Sequence, residues 1–434
     1  MTSPRQAFER RFAEYVRNLI AVIGHVDRHA PLKSYLTGLT LPGDRKSVEP
    51  MAARVQPHRA GPCQQSMNHF VANAAWDDAA VIRVARNWVI DAMERHGPVA
   101  AWIVDDTSFP KKGHHSVGVT RQYCGALGKQ ENCQVAVSVS LANEVVSVPA
   151  GFRLYLPEVW VKDRKRRKEA GIPPLLGFRT KGEIAVGLID GLIDNELPVA
   201  PVVADAGYGV STQFRDDLTR RNVPYLLGIT GETTVWPPGQ EPLPPKQTRG
   251  SGRPQTRLQR PRGQRPISVH ILAANLPRNA WKLVTWREGS RGAMRSRFAW
   301  LRVRPAHRDN RRSTPRPVEW LLVEWPPDEN APTQFWLSTL PADTPGRDLV
   351  WLAMIRWRIE RDYQELKDEI GLDQFEGRGW RGFHHHGSLC IATYAFLAAE
   401  RARLSPPAAL SFLEVPPVPQ GFRPRGSPGP RRKT

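Results

Sequence analysis

Residues 201–229 read PVVADAGYGVSTQFRDDLTRRNVPYLLGI, and their rhythm decides the fold. PVVADA (201–206) is a short apolar run that carries Asp205 at its end, and PYLLGI (224–229) is a second such run. Between them, 211–221 has helical character, so the segment reads strand, helix, strand. Upstream, AAWIVD (100–105), CQVAVSVSLA (133–142) and VVSVPAGFRLYLP (145–157) are β-rich. Thr180 followed three residues later by Glu183 is a capping box. It opens a helix bearing Ile184, Leu188, Ile189, Leu192 and Ile193. Strands in succession and then a β-α-β unit predict a mixed α/β layered core.

Different patterns flank this core. Phe8, Phe12, Tyr15, Val16, Leu19 and Ile20 share one helical face, and two further helices are expected over 66–95, the second starting at Asp77–Asp78. The stretch near 38–64 reads as irregular, and Gly97–Pro98 closes a helical N-terminal domain at 1–97. The first part of the core spans 98–230. Residues 231–348 form a basic β-rich insertion, in which Trp-containing runs such as RFAWLRVR (297–304) and VEWLLVEW (318–325) follow a Pro/Gly/Arg-rich excursion at 237–266. Helices of the core return at 349–403, and 404–434 reads as a flexible basic tail.

The 434 residues carry 62 Lys+Arg against 42 Asp+Glu, a net charge of +20. Residues 246–316 alone hold 19 Lys/Arg and two acids, Glu288 and Asp309, which is +17 of that total. So basic a chain points to a polyanionic partner, nucleic acid first. No apolar run approaches the roughly 18–20 residues of a membrane span, and MTSPRQAFERRFAEY lacks the apolar stretch of a secretory signal. Cys63, Cys124, Cys133 and Cys390 form no C-x-x-C pair and read as inert buried or half-buried thiols of a cytoplasmic protein.

Chemistry is expected from carboxylates. Asp105 ends the run AWIV as Asp205 ends PVVA, and a carboxylate at the end of a buried strand needs a compensating cation. Two of them on neighbouring strands could grip a divalent metal, and a third would complete a two-metal phosphoryl-transfer site. The third candidate lies in LVWLAMIRWRIERDYQELKDEIGL (349–372), read as one helix with Leu352, Ile355, Ile359, Tyr363, Leu366 and Ile370 as its apolar stripe. Arg356, Glu360 and Lys367 share the other face, which suits a metal-binding acid flanked by two phosphate-binding cations. A routine salt-bridged amphipathic helix would show the same pattern.

Taken together, WIVDDTSFPKKG (102–113), VADAGYG (203–209) and RWRIERDYQELK (356–367) resemble the DDE transposases of bacterial insertion sequences, the cut-and-paste type. GVTRQYCGALGKQENCQVAVSVSLA (118–142) and GLDQFEGRGWRGFHHH (371–386) resemble the stretches that follow the first Asp and the Glu in that family. The helix is similar to the Tyr-x2-Arg-x3-Glu-x6-Lys signature of one branch, with Ala353 in place of the Tyr. The resemblance covers roughly 65–403 and implies a ribonuclease-H-like core with Asp105, Asp205 and Glu360 as catalytic metal ligands for two Mg²⁺ ions, Mn²⁺ serving as well. Asp106 is the alternative first ligand. Arg356, Lys367, Lys111 and Lys112 would contact DNA. The implied partners are terminal inverted repeats, target DNA and a second copy of the chain, with no membrane, at the bacterial nucleoid. A nuclease that hydrolyses without joining, and a silent DNA-binding descendant, are the rival expectations.

The remaining polar features carry blander expectations. Asp362, Glu365, Asp368, Glu369, Asp216 and Asp217 read as solvated helix surface, and His114–His115 and His384–His386 as surface histidines. Lys162–Lys168 (KDRKRRK) reads either as solvated surface or as a DNA contact, and the tryptophans of 280–340 as sheet core.

Overall fold

The computed structural model describes residues 3–245, 256–289 and 292–405. Most of the basic excursion's centre (246–255) and the expected tail from 406 onward lie outside the described residues.

The chain opens with helices α1 (Pro4–Ile23), α2 (His29–Thr40), α3 (Val48–Val55), α4 (Ala60–Ala72) and α5 (Asp78–Glu94). Ser3 and Gln6 form a capping box on α1, and the Asp77 side chain accepts from Ala79 N at 2.9 Å to start α5. The stretch expected to be irregular, 38–64, is instead largely helical. Its prolines are compatible with this: Pro50 and Pro62 fall in the first turns of α3 and α4, where backbone N–H groups have no intrahelical acceptor, so a proline removes nothing.

The core begins with β1 (Ala101–Pro110), β2 (Thr120–Cys124), β3 (Lys129–Ala142) and β4 (Ser147–Leu154), followed by α6 (Glu158–Lys162) and α7 (Arg164–Glu169). Next come α8 (Lys181–Asp194), β5 (Val202–Ala204), α9 (Ala206–Gly209), α10 (Thr212–Arg220) and β6 (Tyr225–Ile229). The expected capping box opens α8, with Thr180 Oγ1 accepting from Glu183 N and Glu183 accepting from Thr180 N. β1 runs antiparallel to β3 from Ala101↔Ala142 to Pro110↔Cys133, and parallel to β5 on its other edge. β5 in turn runs parallel to β6.

The insertion does not form a sheet of its own. It supplies β7 (Thr234–Trp236), β8 (Ile267–Ser268), α11 (Val269–Ala274), β9 (Lys282–Gly289), β10 (Gly292–Pro305), β11 (Glu319–Trp325) and β12 (Gln334–Ser338). β12 pairs antiparallel with β6, from Phe335↔Ile229 to Ser338↔Leu226, and so prolongs the core sheet. The order is β2-β3-β1-β5-β6-β12-β11-β10-β7-β8, with β4 on β3 and β9 on β10. Trp286, Trp300, Trp320, Trp325 and Trp336 are strand residues, Trp281 directly precedes β9, and two of these rings carry arginines on their faces. The Arg297 guanidinium lies 4.2 Å from the Trp325 ring centre, and that of Arg302 4.8 Å from Trp320.

The single helix expected over 349–372 is two: α12 (Gly346–Met354) and α13 (Trp357–Asp368), separated by a turn at Ile355–Arg356. The last helix is α14 (Trp380–Leu404). One apolar cluster runs from Tyr15 and Leu19 of α1 through Trp102 of β1 to Phe396 of α14, so packing does not break at residue 97. The bidentate pair of Arg11 with Glu400 joins the same two helices.

The His384–His386 triplet, expected on the surface, is buried in this packing. Nε2 of His384 accepts from Leu154 N and its Nδ1 donates to Trp380 O, at 3.2 and 2.9 Å. The His386 ring lies between the Tyr35 hydroxyl and Gly371 O, and His385 stacks on Trp76 with ring centres 3.5 Å apart. Burial pushes His384 and His386 down to about 4, so both rings are neutral structural groups near pH 7. All four cysteines are free and buried, as expected.

Candidate active site

Strand register creates the site. The parallel pairs Trp102↔Val202, Ile103↔Val203 and Val104↔Ala204 lead directly to Asp105 and Asp205 at the next position of each strand. Partners in a parallel pair point to the same face, so these two carboxylates share one face, while Asp106 points to the other. Asp106 accordingly meets Lys181 at the start of α8, at 2.5 Å. Asp105 turns toward α13, where its Oδ2 accepts from Arg356 Nη1 at 2.7 Å, and its Oδ1 accepts from Asp106 N at 2.8 Å.

Asp205 stands at the N-cap of α9 but makes no side-chain cap bond, and its Oδ1 is buried without a hydrogen-bond partner. The turn after it depends on glycine. A Cβ on Gly209 would lie 1.9 Å from Gly228 O, so only glycine lets α9 rest against β6 at this distance. Arg215 of α10, itself buried, donates to Gly209 O and ties the far end of the turn.

The third acid arrives from α13. Arg356 donates through Nη2 to Glu360 Oε1 at 2.6 Å while its Nη1 holds Asp105, so one guanidinium bridges the two carboxylates. Lys367, two turns on, donates from Nζ to Ser108 O at 3.0 Å and lies 5.4 Å from the Phe109 ring centre. Arg356 and Lys367 therefore both meet β1 despite the break in the helix, and Glu360, 59% exposed, is joined to that strand through Arg356. Lys111 donates to Phe375 O at 3.1 Å, whereas Lys112 is exposed. Burial lowers the pKa of both Lys111 and Lys367.

Electrostatics at this point are unbalanced. Burial raises the Asp105 carboxyl to about 7, against the pull of Arg356, and the neighbouring Asp205 adds to the rise. The Tyr208 hydroxyl is buried and unpartnered, and burial together with Asp106, Asp105 and Asp205 pushes it up. Sequence reading overlooked Tyr208 and Lys181; the GYG that follows Asp205 and the residue next to the Thr180 cap were their only signals. Three carboxylates and an orphaned buried oxygen are a donor set that suits a hard divalent cation. Among the described residues, no three His, Cys, Asp or Glu side chains are yet gathered closely enough to hold one.

The other acids of these helices are engaged elsewhere. Asp362, expected to be solvated, is buried and accepts from Ser147 Oγ at 2.5 Å and from the Tyr394 hydroxyl at 2.8 Å. Glu365 is held between Arg361 and Arg401, at 2.8 and 2.7 Å. Asp216 pairs with Arg316 of the insertion, and Asp217 with Arg220. Asp368, Glu369, His114 and His115 are exposed, as expected.

Residues 18–293, more than half of the chain, match the DDE superfamily endonuclease family. The chain belongs to the DDE superfamily endonucleases. Its mixed sheet with flanking helices is accordingly the ribonuclease-H-like core that the sequence led us to expect. The matched span includes Asp105 and Asp205 and ends before α13. Over 167 residues the chain is also 34% identical to a probable transposase for insertion sequence element IS701 from Microchaete diplosiphon. That similarity covers 38% of this chain, which spans 40% of the length of this curated relative. Among the described residues, no helix of this DDE endonuclease is long and apolar enough to cross a membrane.

Proposed function

We propose that this protein is a DNA transposase that binds the ends of an insertion element and catalyses metal-dependent strand cleavage and strand transfer. The observation that carries the reading is the register of β1 and β5, which sets Asp105 and Asp205 side by side on the face that α13 approaches with Glu360. The curated relative's description as a probable transposase supports the same direction.

In this reading Asp105, Asp205 and Glu360 hold two Mg²⁺ ions, or Mn²⁺, with Asp106 excluded from the set by its opposite facing. When bound, such ions supply activation of a nucleophilic oxygen and stabilisation of the leaving oxygen at phosphorus. The chain's own contribution is to present the three carboxylates together and to hold the DNA backbone beside them. Arg356, Lys367 and Lys111 line up along β1 and are suited to phosphate, with Lys112 at the exposed end. Helices α1–α5 recognise the terminal inverted repeats, and the basic insertion adds phosphate contacts. Two copies of the chain hold the two ends, and the work is done on DNA in the cytoplasm, at the nucleoid.

The test is cleavage and joining of duplexes that carry the element's own terminal repeats, in Mg²⁺. Asp205→Ala is expected to abolish cleavage while end binding stays largely intact, because the carboxylate holds metal and not bases. Full cleavage by that variant would overturn the reading. Cleavage without any joining of paired ends would reduce the protein to a nuclease.

A further inference from the structure

One guanidinium stands where the proposed site requires two carboxylates to be free. Arg356 sits in the turn between α12 and α13, and from there its Nη1 and Nη2 reach Asp105 Oδ2 at 2.7 Å and Glu360 Oε1 at 2.6 Å. Its fork thus joins one acid of the sheet to one acid of the helix. A guanidinium keeps its charge at any accessible pH, so the cation of this clamp is not lost by titration. A competing anion can draw it away.

We infer that Arg356 gates the metal: it occupies Asp105 and Glu360 until a DNA phosphate takes the guanidinium over and leaves both carboxylates to a divalent cation. The inference rests on the reading of Asp105, Asp205 and Glu360 as metal ligands. Two observations and one chemical argument carry it. The oxygens that Arg356 holds belong to two of the three acids, while the third, Asp205, keeps a buried oxygen with no partner at all. The Arg356 side chain is 29% exposed, so an incoming phosphate has access to it. A phosphodiester offers the same pair of anionic oxygens that a guanidinium fork now takes from two separate carboxylates, and charge-assisted bidentate pairs are the strong ones. Two positive species competing for one acid pair, one of them drawn off by phosphate, make DNA and metal binding cooperative. By linkage the cooperation is reciprocal: metal tightens DNA binding by the same factor.

The experiment titrates Mn²⁺ into the full chain, reading free Mn²⁺ by electron paramagnetic resonance. It is run with and without a duplex bearing one terminal repeat, and the duplex-only titration is subtracted. Wild type is expected to bind Mn²⁺ weakly alone and about tenfold more tightly with the duplex, a coupling of about 1.4 kcal/mol. Arg356→Gln, which cannot neutralise two acids, is expected to bind Mn²⁺ about tenfold more tightly than wild type without DNA and to gain nothing further from the duplex. Arg356→Lys retains the charge but reaches one acid at a time, and should fall between the two. Mn²⁺ affinity in Arg356→Gln and Arg356→Lys equal to or below that of wild type, with Asp205→Asn still weakening it, would overturn the gate and leave the metal reading standing. If Asp205→Asn and Glu360→Gln changed nothing in either Arg356 background, the metal reading itself would fall.

Discussion

Glu319 offers a quantitative test of how the insertion is joined to the core. It lies on β11, fully buried, with Oε2 lacking any hydrogen-bond partner. Burial raises its carboxyl to about 7, although Arg215, the Tyr225 hydroxyl and Arg316 all favour the anion. The ordinary value is 4.5, so the folded chain binds this proton more tightly than the unfolded chain. Between those two values the folded state holds a proton that the unfolded state has lost, and stability falls as pH rises. Above about 7 both states are ionised and the full penalty, about 3 kcal/mol, is present. Roughly 2.5 kcal/mol of it should develop between about pH 5 and 8.5. Glu319→Gln mimics the neutral acid and removes this dependence. Urea unfolding of wild type and variant across that range, followed by tryptophan fluorescence and circular dichroism, should show the variant's advantage growing with pH. A difference that stays flat, or a variant that loses ground at high pH, would refute the reasoning. It would mean that Arg215 and Arg316 hold an ion pair outweighing the cost of burial.

Three further outcomes follow from the site geometry. Asp105→Asn should abolish Mg²⁺-dependent cleavage, whereas Asp106→Asn, which loses only the Lys181 pair, should retain most of it; gel assays of both variants on terminal-repeat DNA decide the order. Glu360→Gln should remove cleavage, because an amide supplies no anionic ligand, while Glu365→Gln should leave the rate within a few-fold and cost at most about 1 kcal/mol of stability from its exposed arginine partners. Gly209→Ala should destabilise the fold by about 2 kcal/mol or more, since its Cβ cannot coexist with Gly228 O at 1.9 Å, and a lowered unfolding midpoint with reduced cleavage would register both effects.

Much of this was legible in the chain because short apolar runs and caps are local signals. PVVADA, PYLLGI and the Thr180 capping box each became the element expected, and the first places Asp205 at the end of a strand. The helical stretch at 38–64 was not legible, since its short helices carry prolines whose first-turn positions only the fold reveals. The break at Ile355–Arg356 interrupts an unbroken apolar stripe, and nothing in the residues themselves announces it. Nor could periodicity reveal that Asp362 and His384–His386 are inside. Their polarity points outward, and only tertiary partners such as Ser147, Tyr394 and Tyr35 make burial tolerable.

Those partners also separate the acids that stabilise from the acids that cost. Asp362 and Glu365 each have two side-chain donors of their own aimed at their oxygens. Asp105 shares its one side-chain cation with Glu360, beside another aspartate, and Asp205 leaves an oxygen unsatisfied. A buried carboxylate without compensation costs free energy comparable to a lost charged hydrogen bond, and a second one beside it adds repulsion. Such a pair persists only if something outside the chain's own donors rewards it, and a divalent cation is the partner its geometry suits best. Within one helix the contrast is between Asp362, buried and satisfied by Ser147 and Tyr394, and Glu360 two residues earlier, exposed and sharing Arg356 with Asp105. It is the second that the proposed metal reading calls on.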